Sequence, residues 1–143
     1  MIVAPCLVNA IIARLLNASG AVVKLDKIDA WKECFALCIA THHAIEEPLK
    51  QREDDVLRRL DYAAIRAGGR VAFGVGSGDR KLRRIGTGQA ISFLHEYGFV
   101  LELAQDRRLL DRDTCEKLES LRGRALFYTR RLWEETLGPP PAS

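Results

Sequence analysis

Arg70-Val71-Ala72-Phe73-Gly74-Val75-Gly76-Ser77-Gly78-Asp79-Arg80-Lys81-Leu82-Arg83-Arg84 joins two long helical patterns near the middle of a 143-residue chain. Glycine alternates at Gly74, Gly76 and Gly78, so the backbone can turn freely there. Asp79 then offers a side-chain oxygen to cap a new helix, and Arg80, Lys81, Arg83 and Arg84 follow within one turn of it. The stretch reads as a sharp fold-back beside a dense positive patch. Together with Arg70, these four cations form the candidate binding surface.

Upstream of the turn, a helix is expected from about Leu49 to about Phe73. Its inner face is Val56, Leu57, Leu60, Ala63, Ala64, Ala67 and Val71. Alanine keeps that face thin, and Gly68-Gly69 predicts a close helix contact or a kink. The preceding helix starts at Asp26 or Asp29 and is expected to end at Glu46-Glu47-Pro48, because the residue before a proline resists helical geometry. Its apolar stripe reads as Ile28, Trp31, Phe35, Cys38, Ile39, His42 and Ile45.

Downstream, Leu82, Ile85, Ala90, Phe93, Leu94, Tyr97, Val100, Leu101 and Ala104 define a helix from about Asp79 to Asp106. Asp113-Thr114-Cys115-Glu116 fits a capping box for the last helix, which carries Leu118, Leu121, Ala125, Leu126, Leu132 and Trp133. Gly138-Pro139-Pro140-Pro141 stops it. At the other end of the chain, Leu7, Val8, Ile11, Ile12, Leu15 and Leu16 recur at spacings of three and four after Pro5, and Ser19-Gly20 closes that pattern. No alternating β-branched run is long enough for a strand. The expectation is an all-α protein: an antiparallel up-and-down four-helix bundle over residues 23–138. An additional N-terminal amphipathic helix falls within residues 1–22, and a disordered tail over 139–143.

Composition narrows the class. At this length one domain can bury one core, and 48% apolar with 29% charged residues is ordinary for a soluble globular chain. No apolar run reaches the roughly 18–20 residues that spanning a membrane requires, since Asn9, Arg14 and Asn17 interrupt the leader. The net charge of +3 is too small to imply nucleic-acid binding by itself, so the local clustering of arginine carries the argument. Cys6, Cys34, Cys38 and Cys115 match no zinc-ribbon spacing and read as free thiols in a reducing cytoplasm.

Cys34, Cys38 and His42 fall four apart, a spacing that would align three ligands along one helix face. Their overlap with the apolar stripe favours core packing, and no metal or cofactor is expected. The glycine run lacks both a preceding strand and a Lys-Ser/Thr ending, so it is not a nucleotide-binding loop. No Glu-x-x-His pair and no Ser, His and Asp arrangement points to catalysis, and no catalytic residue is assigned.

Several short matches, in order, resemble a known family. Trp31, Leu37 and Pro48 fit its first helix. Leu60-Asp61-Tyr62-Ala63-Ala64 and Arg70-Val71-Ala72-Phe73-Gly74 align with the end of its second, with Asp61-Tyr62 standing where the family carries an Arg pair, Arg70 where it carries Asn and Phe73 where it carries Glu. Lys81-Leu82, Gly88 and Ala90 fit its third. Leu25 to Leu137 is thus similar to the four-helix-bundle proteins encoded in intervening sequences of large-subunit ribosomal RNA genes. That family also includes the accessory variability proteins of diversity-generating retroelements. The resemblance implies a homopentamer with basic surfaces and no catalytic residues. It further implies a cytoplasmic, non-enzymatic adaptor that binds RNA or DNA and assists a reverse transcriptase. The alternative is a protein-interaction scaffold bundle with incidental charge.

Overall fold

The computed structural model describes residues 28–139, which form four helices and no strand. They are α1 (Asp29–Gln51), α2 (Asp55–Gly76), α3 (Arg80–Asp106) and α4 (Arg112–Glu135). The amphipathic helix expected over residues 1–22 lies outside the described residues, as does the expected tail beyond Pro139. Each helix packs on the next, and α4 returns to α1. Early residues of one helix meet late residues of its neighbour: Cys34 faces Thr129, Gly74 faces Gly86, and Gly88 faces Trp133. Successive helices therefore run in opposite directions.

The caps fix where each helix begins. Asp54 Oδ1 accepts from the amides of Val56 at 2.8 Å and Leu57 at 3.4 Å, so α2 starts at Asp55 and not near Leu49. α1 accordingly runs through Pro48 to Gln51. Pro48 in the last turn has no N–H to donate to the preceding turn, but its own carbonyl accepts from Arg52 N at 3.1 Å and so continues the helix. Asp111, not Asp113, caps α4 by accepting from Thr114 N at 2.7 Å, so the expected capping box does not form. The turn between α2 and α3 is tighter than its three glycines suggest. Gly74 and Gly76 are helical, and of the three only Gly78 has the left-handed φ, 73°, that needs glycine.

The buried column of α1 is Ala30, Cys34, Leu37, Thr41 and Ile45. Phe35, Ile39 and His42, expected on that stripe, are exposed. The expected stripe is about one residue out of phase with the column that faces the core, which puts these side chains on the outer side of α1. Ile85 on α3 is likewise exposed, while Gly86 and Thr87 beside it are buried. Inside the bundle, Thr41 Oγ1 donates to Leu37 O at 2.7 Å and therefore accepts from the Tyr97 hydroxyl, also at 2.7 Å. That pairing satisfies the polar end of the largest fully buried side chain.

The closest helix contact lies at Gly74 and Gly86, not at the predicted Gly68-Gly69. A Cβ on Gly86 would stand 2.5 Å from Arg70 O and 2.7 Å from Gly74 Cα, whereas one on Gly69 would meet nothing within 4 Å. Backbone cannot step aside as a flexible side chain can. Gly86→Ala is expected to lower the unfolding free energy by about 2–3 kcal/mol through overpacking. Gly69→Ala should raise it by about 0.5–1 kcal/mol through helix propensity. Urea titration of the two variants checks both signs.

Candidate nucleic-acid interface

The Gly74–Gly86 contact brings the first turn of α3 against the last turns of α2, with Arg83 O and Cα packed on Gly74. The predicted cations thus gather at one end of the bundle. Lys81 and Arg84 are exposed there, and Arg70, Arg80 and Arg83 are half-buried. They do not play equal parts.

Arg80 serves the fold. Its Nε and Nη2 donate to Thr136 O at 3.2 and 3.0 Å, and Nη2 also donates to Gly138 O. Those carbonyls are the open end of α4, where a cation also meets the negative end of the helix dipole. Arg83 is partly committed to packing, with Nε buried and no hydrogen-bond partner among the described residues.

Asp79 is the one carboxylate in the stretch, and its position is decisive. Oδ1 accepts from Lys81 N at 2.8 Å and from Leu82 N at 3.2 Å. Arg83 N donates to Asp79 O at 2.9 Å. The amides of Lys81, Leu82 and Arg83 are therefore occupied, and this helix start offers few free donors to an anion. The same capping leaves the cations without an acidic partner: Arg70, Lys81, Arg83 and Arg84 form no ion pair with any described residue.

Other arginines are differently placed. Arg58 pairs with Glu53 at 2.7 Å, Arg59 with Glu96 at 3.8 Å, Arg112 with Glu116 at 3.0 Å and Arg124 with Glu33 at 2.7 Å. Arg66 lies over the Phe93 ring at 4.2 Å and the Tyr62 ring at 5.1 Å. Arg108, at the opposite end of α3, takes the left-handed φ of 57° that closes the helix, with Leu109 N bonded to Ala104 O at 2.9 Å. Arg52, Arg107 and Arg130 also lack an ion pair, but Glu53, Asp106 and Glu134 stand close to them in sequence.

The cysteine face does not assemble as a ligand set. Cys34 Sγ is buried 3.9 Å from Thr129 Oγ1, and burial pushes its thiol up to about 12. Cys38 is half-buried and pushed up to about 11 for the same reason. His42, expected in the core, projects outward with Nδ1 3.9 Å from Asp61 Oδ1. Among the described residues, no three His, Cys, Asp or Glu side chains are grouped to hold a metal ion. No helix among them is long and apolar enough to cross a membrane.

Sequence reasoning found the cations but missed which of them the fold consumes. Nothing in the order Arg80-Lys81-Leu82 signals that the carbonyls of Thr136 and Gly138, more than fifty residues on, will arrive beside Arg80. It also missed an apolar surface on α2 and α3, where Tyr62, Ile65, Phe73, Ile85, Phe99 and Leu103 are exposed. No family model, curated protein or solved structure matches the chain.

The buried thiol gives the fold a measurable alkaline limit. Burial favours the neutral form, so the unfolded chain ionises first. The contribution of Cys34 is complete below its ordinary value of 9.0 and is lost as pH rises from there toward about 12. The Tyr97 hydroxyl, also raised by burial, acts in the same direction. Urea midpoints are expected to hold up to about pH 9 and fall beyond it, with a shallower fall in Cys34→Ala.

Proposed function

We propose that the chain is a non-enzymatic, self-associating adaptor that holds the backbone of RNA or DNA against the α2–α3 turn. The observation that carries this reading is the commitment of Asp79 to its own helix cap, which leaves Lys81, Arg83, Arg84 and Arg70 without a carboxylate. Exposed guanidinium and ammonium groups on a rigid helix end suit phosphate oxygens, and their spread over one turn suits a backbone better than a single base edge. Lys81 and Arg84 would make the contacts. Arg70 and Arg83 would add field from partly buried positions, and Arg80 would keep the surface in place.

The exposed apolar residues of α2 and α3 support the self-associating part, since large clustered apolar groups on a surface mark contact sites. The resemblance to ribosomal intervening-sequence and accessory variability proteins supports a homopentamer and a reverse transcriptase as partner. A ring of copies would repeat the patch around one axis and multiply its field. In this reading the protein works in the cytoplasm and does no chemistry of its own.

Binding of single-stranded RNA and DNA, measured by fluorescence anisotropy across a salt series, tests the proposal. Lys81→Gln with Arg84→Gln is expected to weaken binding across sequences and to flatten the log–log salt slope by about 1.4, two lost contacts on a single strand. Arg58→Gln with Arg112→Gln, at the opposite end and already paired, should leave the slope unchanged. Unaltered binding in the first variant would reduce the patch to a solvated surface and favour the protein-interaction scaffold instead.

A further inference from the structure

The outer side of α1 carries a groove with no cover among the described residues. It measures about 680 Å³ and lies against the start of α4. Phe35 and Ile39, 52% and 47% exposed, form one wall, and Thr114 and Leu118 the other. Ala36 and Ala40 lie between them, and Ala44 continues the same four-residue spacing. Methyl side chains in that row keep the floor shallow, so a helix backbone can come close. No carboxylate lines the groove, and His43 and Lys117 are its only ionisable residues.

We propose that the chain's own leader occupies this groove, with the face Leu7, Val8, Ile11, Ile12, Leu15 and Leu16 laid antiparallel along α1. Three observations favour this occupant. The first is chemistry. The leader's repeating face is wholly apolar and Arg14 is the only charge among its first 23 residues, which matches a groove without acids. The exposed α2–α3 surface, by contrast, mixes its apolar groups with Asp55, Arg59, Arg66 and Glu96. The second is length. Leu7 to Leu16 as a helix rises about 15 Å, the same as the ten residues from Phe35 to Ala44. The third is the tether. The leader joins α1 at Ile28, and the residues from Ser19 to Lys27 suffice to reverse direction. A segment held that near faces the groove at an effective concentration of about millimolar, well above that of a separate copy at micromolar protein. The antiparallel sense sets Leu15 and Leu16 beside Phe35, and Leu7 and Val8 toward Ala44.

Hydrogen exchange on the full chain tests this. Amides of Leu7 to Leu16 are expected to exchange at least about tenfold more slowly than in the denatured chain. Phe35→Glu with Ile39→Glu should return them to the denatured rate while α2 and α3 stay protected. Both positions are about half exposed, so the bundle should tolerate the change. Ile11→Glu with Leu15→Glu should abolish the protection from the other side without touching the bundle core. When isotope-labelled native chain is co-refolded with an excess of the unlabelled groove variant, its leader should remain protected. Loss of protection in that mixture would hand the groove to a neighbouring copy and overturn the proposal. A leader that exchanges at the denatured rate, or whose protection survives the groove substitution, would overturn it as well.

Discussion

Two backbones touch at Gly74 and Gly86, and much of the molecule's shape follows from that contact. Gly86 has no room for a side chain and Gly74 little, because the atoms opposite are backbone oxygen, nitrogen and Cα. The approach draws the start of α3 onto the end of α2 and closes the turn in three residues, Ser77 to Asp79. It also explains why α3 buries Gly86, Thr87 and Ala90 and leaves Ile85 outside. Large side chains are accommodated farther along, where Tyr97 reaches Thr41 across the core.

The turn and the patch are consequences of the same constraint. A short connection needs a strong cap, and Asp79 provides it. Its Oδ1 is then taken by the amides of Lys81 and Leu82, and no ion pair joins its carboxylate to the cations around it. Arg80 is drawn the other way, to the carbonyls ending α4, which joins the last helix to the first turn of α3. The positive character of this end therefore rests on fewer residues than the sequence offers. Those that remain are held on a helix end anchored from two sides, which lowers the conformational cost of binding.

Much of the architecture was legible in the residues. The inner face of α2 from Leu57 to Val71 follows from spacing alone, and Asp79 was readable as the start of α3. The stripe expected through Trp31, Phe35 and Ile39 is about one residue out of phase with the buried column Ala30, Cys34, Leu37, Thr41 and Ile45. Glycine pairs drew attention to Gly68-Gly69, but a close approach needs one glycine on each of two helices, and only tertiary structure brings Gly74 opposite Gly86. Local geometry at Pro48 predicts a stop, yet the cap at Asp54 sets where the next helix begins and leaves room for another turn. Fates of individual arginines are set by carbonyls and carboxylates distant in sequence, which no local pattern encodes.

The shallow groove on α1 lies apart from the unpaired cations of the α2–α3 turn, whereas the exposed Phe73 and Ile85 flank those cations in sequence. Under this account the nucleic-acid contact is the narrowest and most testable element, because it is confined to one turn of one helix. Titration of single-stranded RNA into isotope-labelled protein, followed by amide and arginine side-chain NMR shifts, addresses it most directly. The account predicts that the largest changes fall on Gly78 to Arg84, with Arg70 beside them. Changes centred on Arg58, Arg59 and Arg66, or no changes at all, would contradict it.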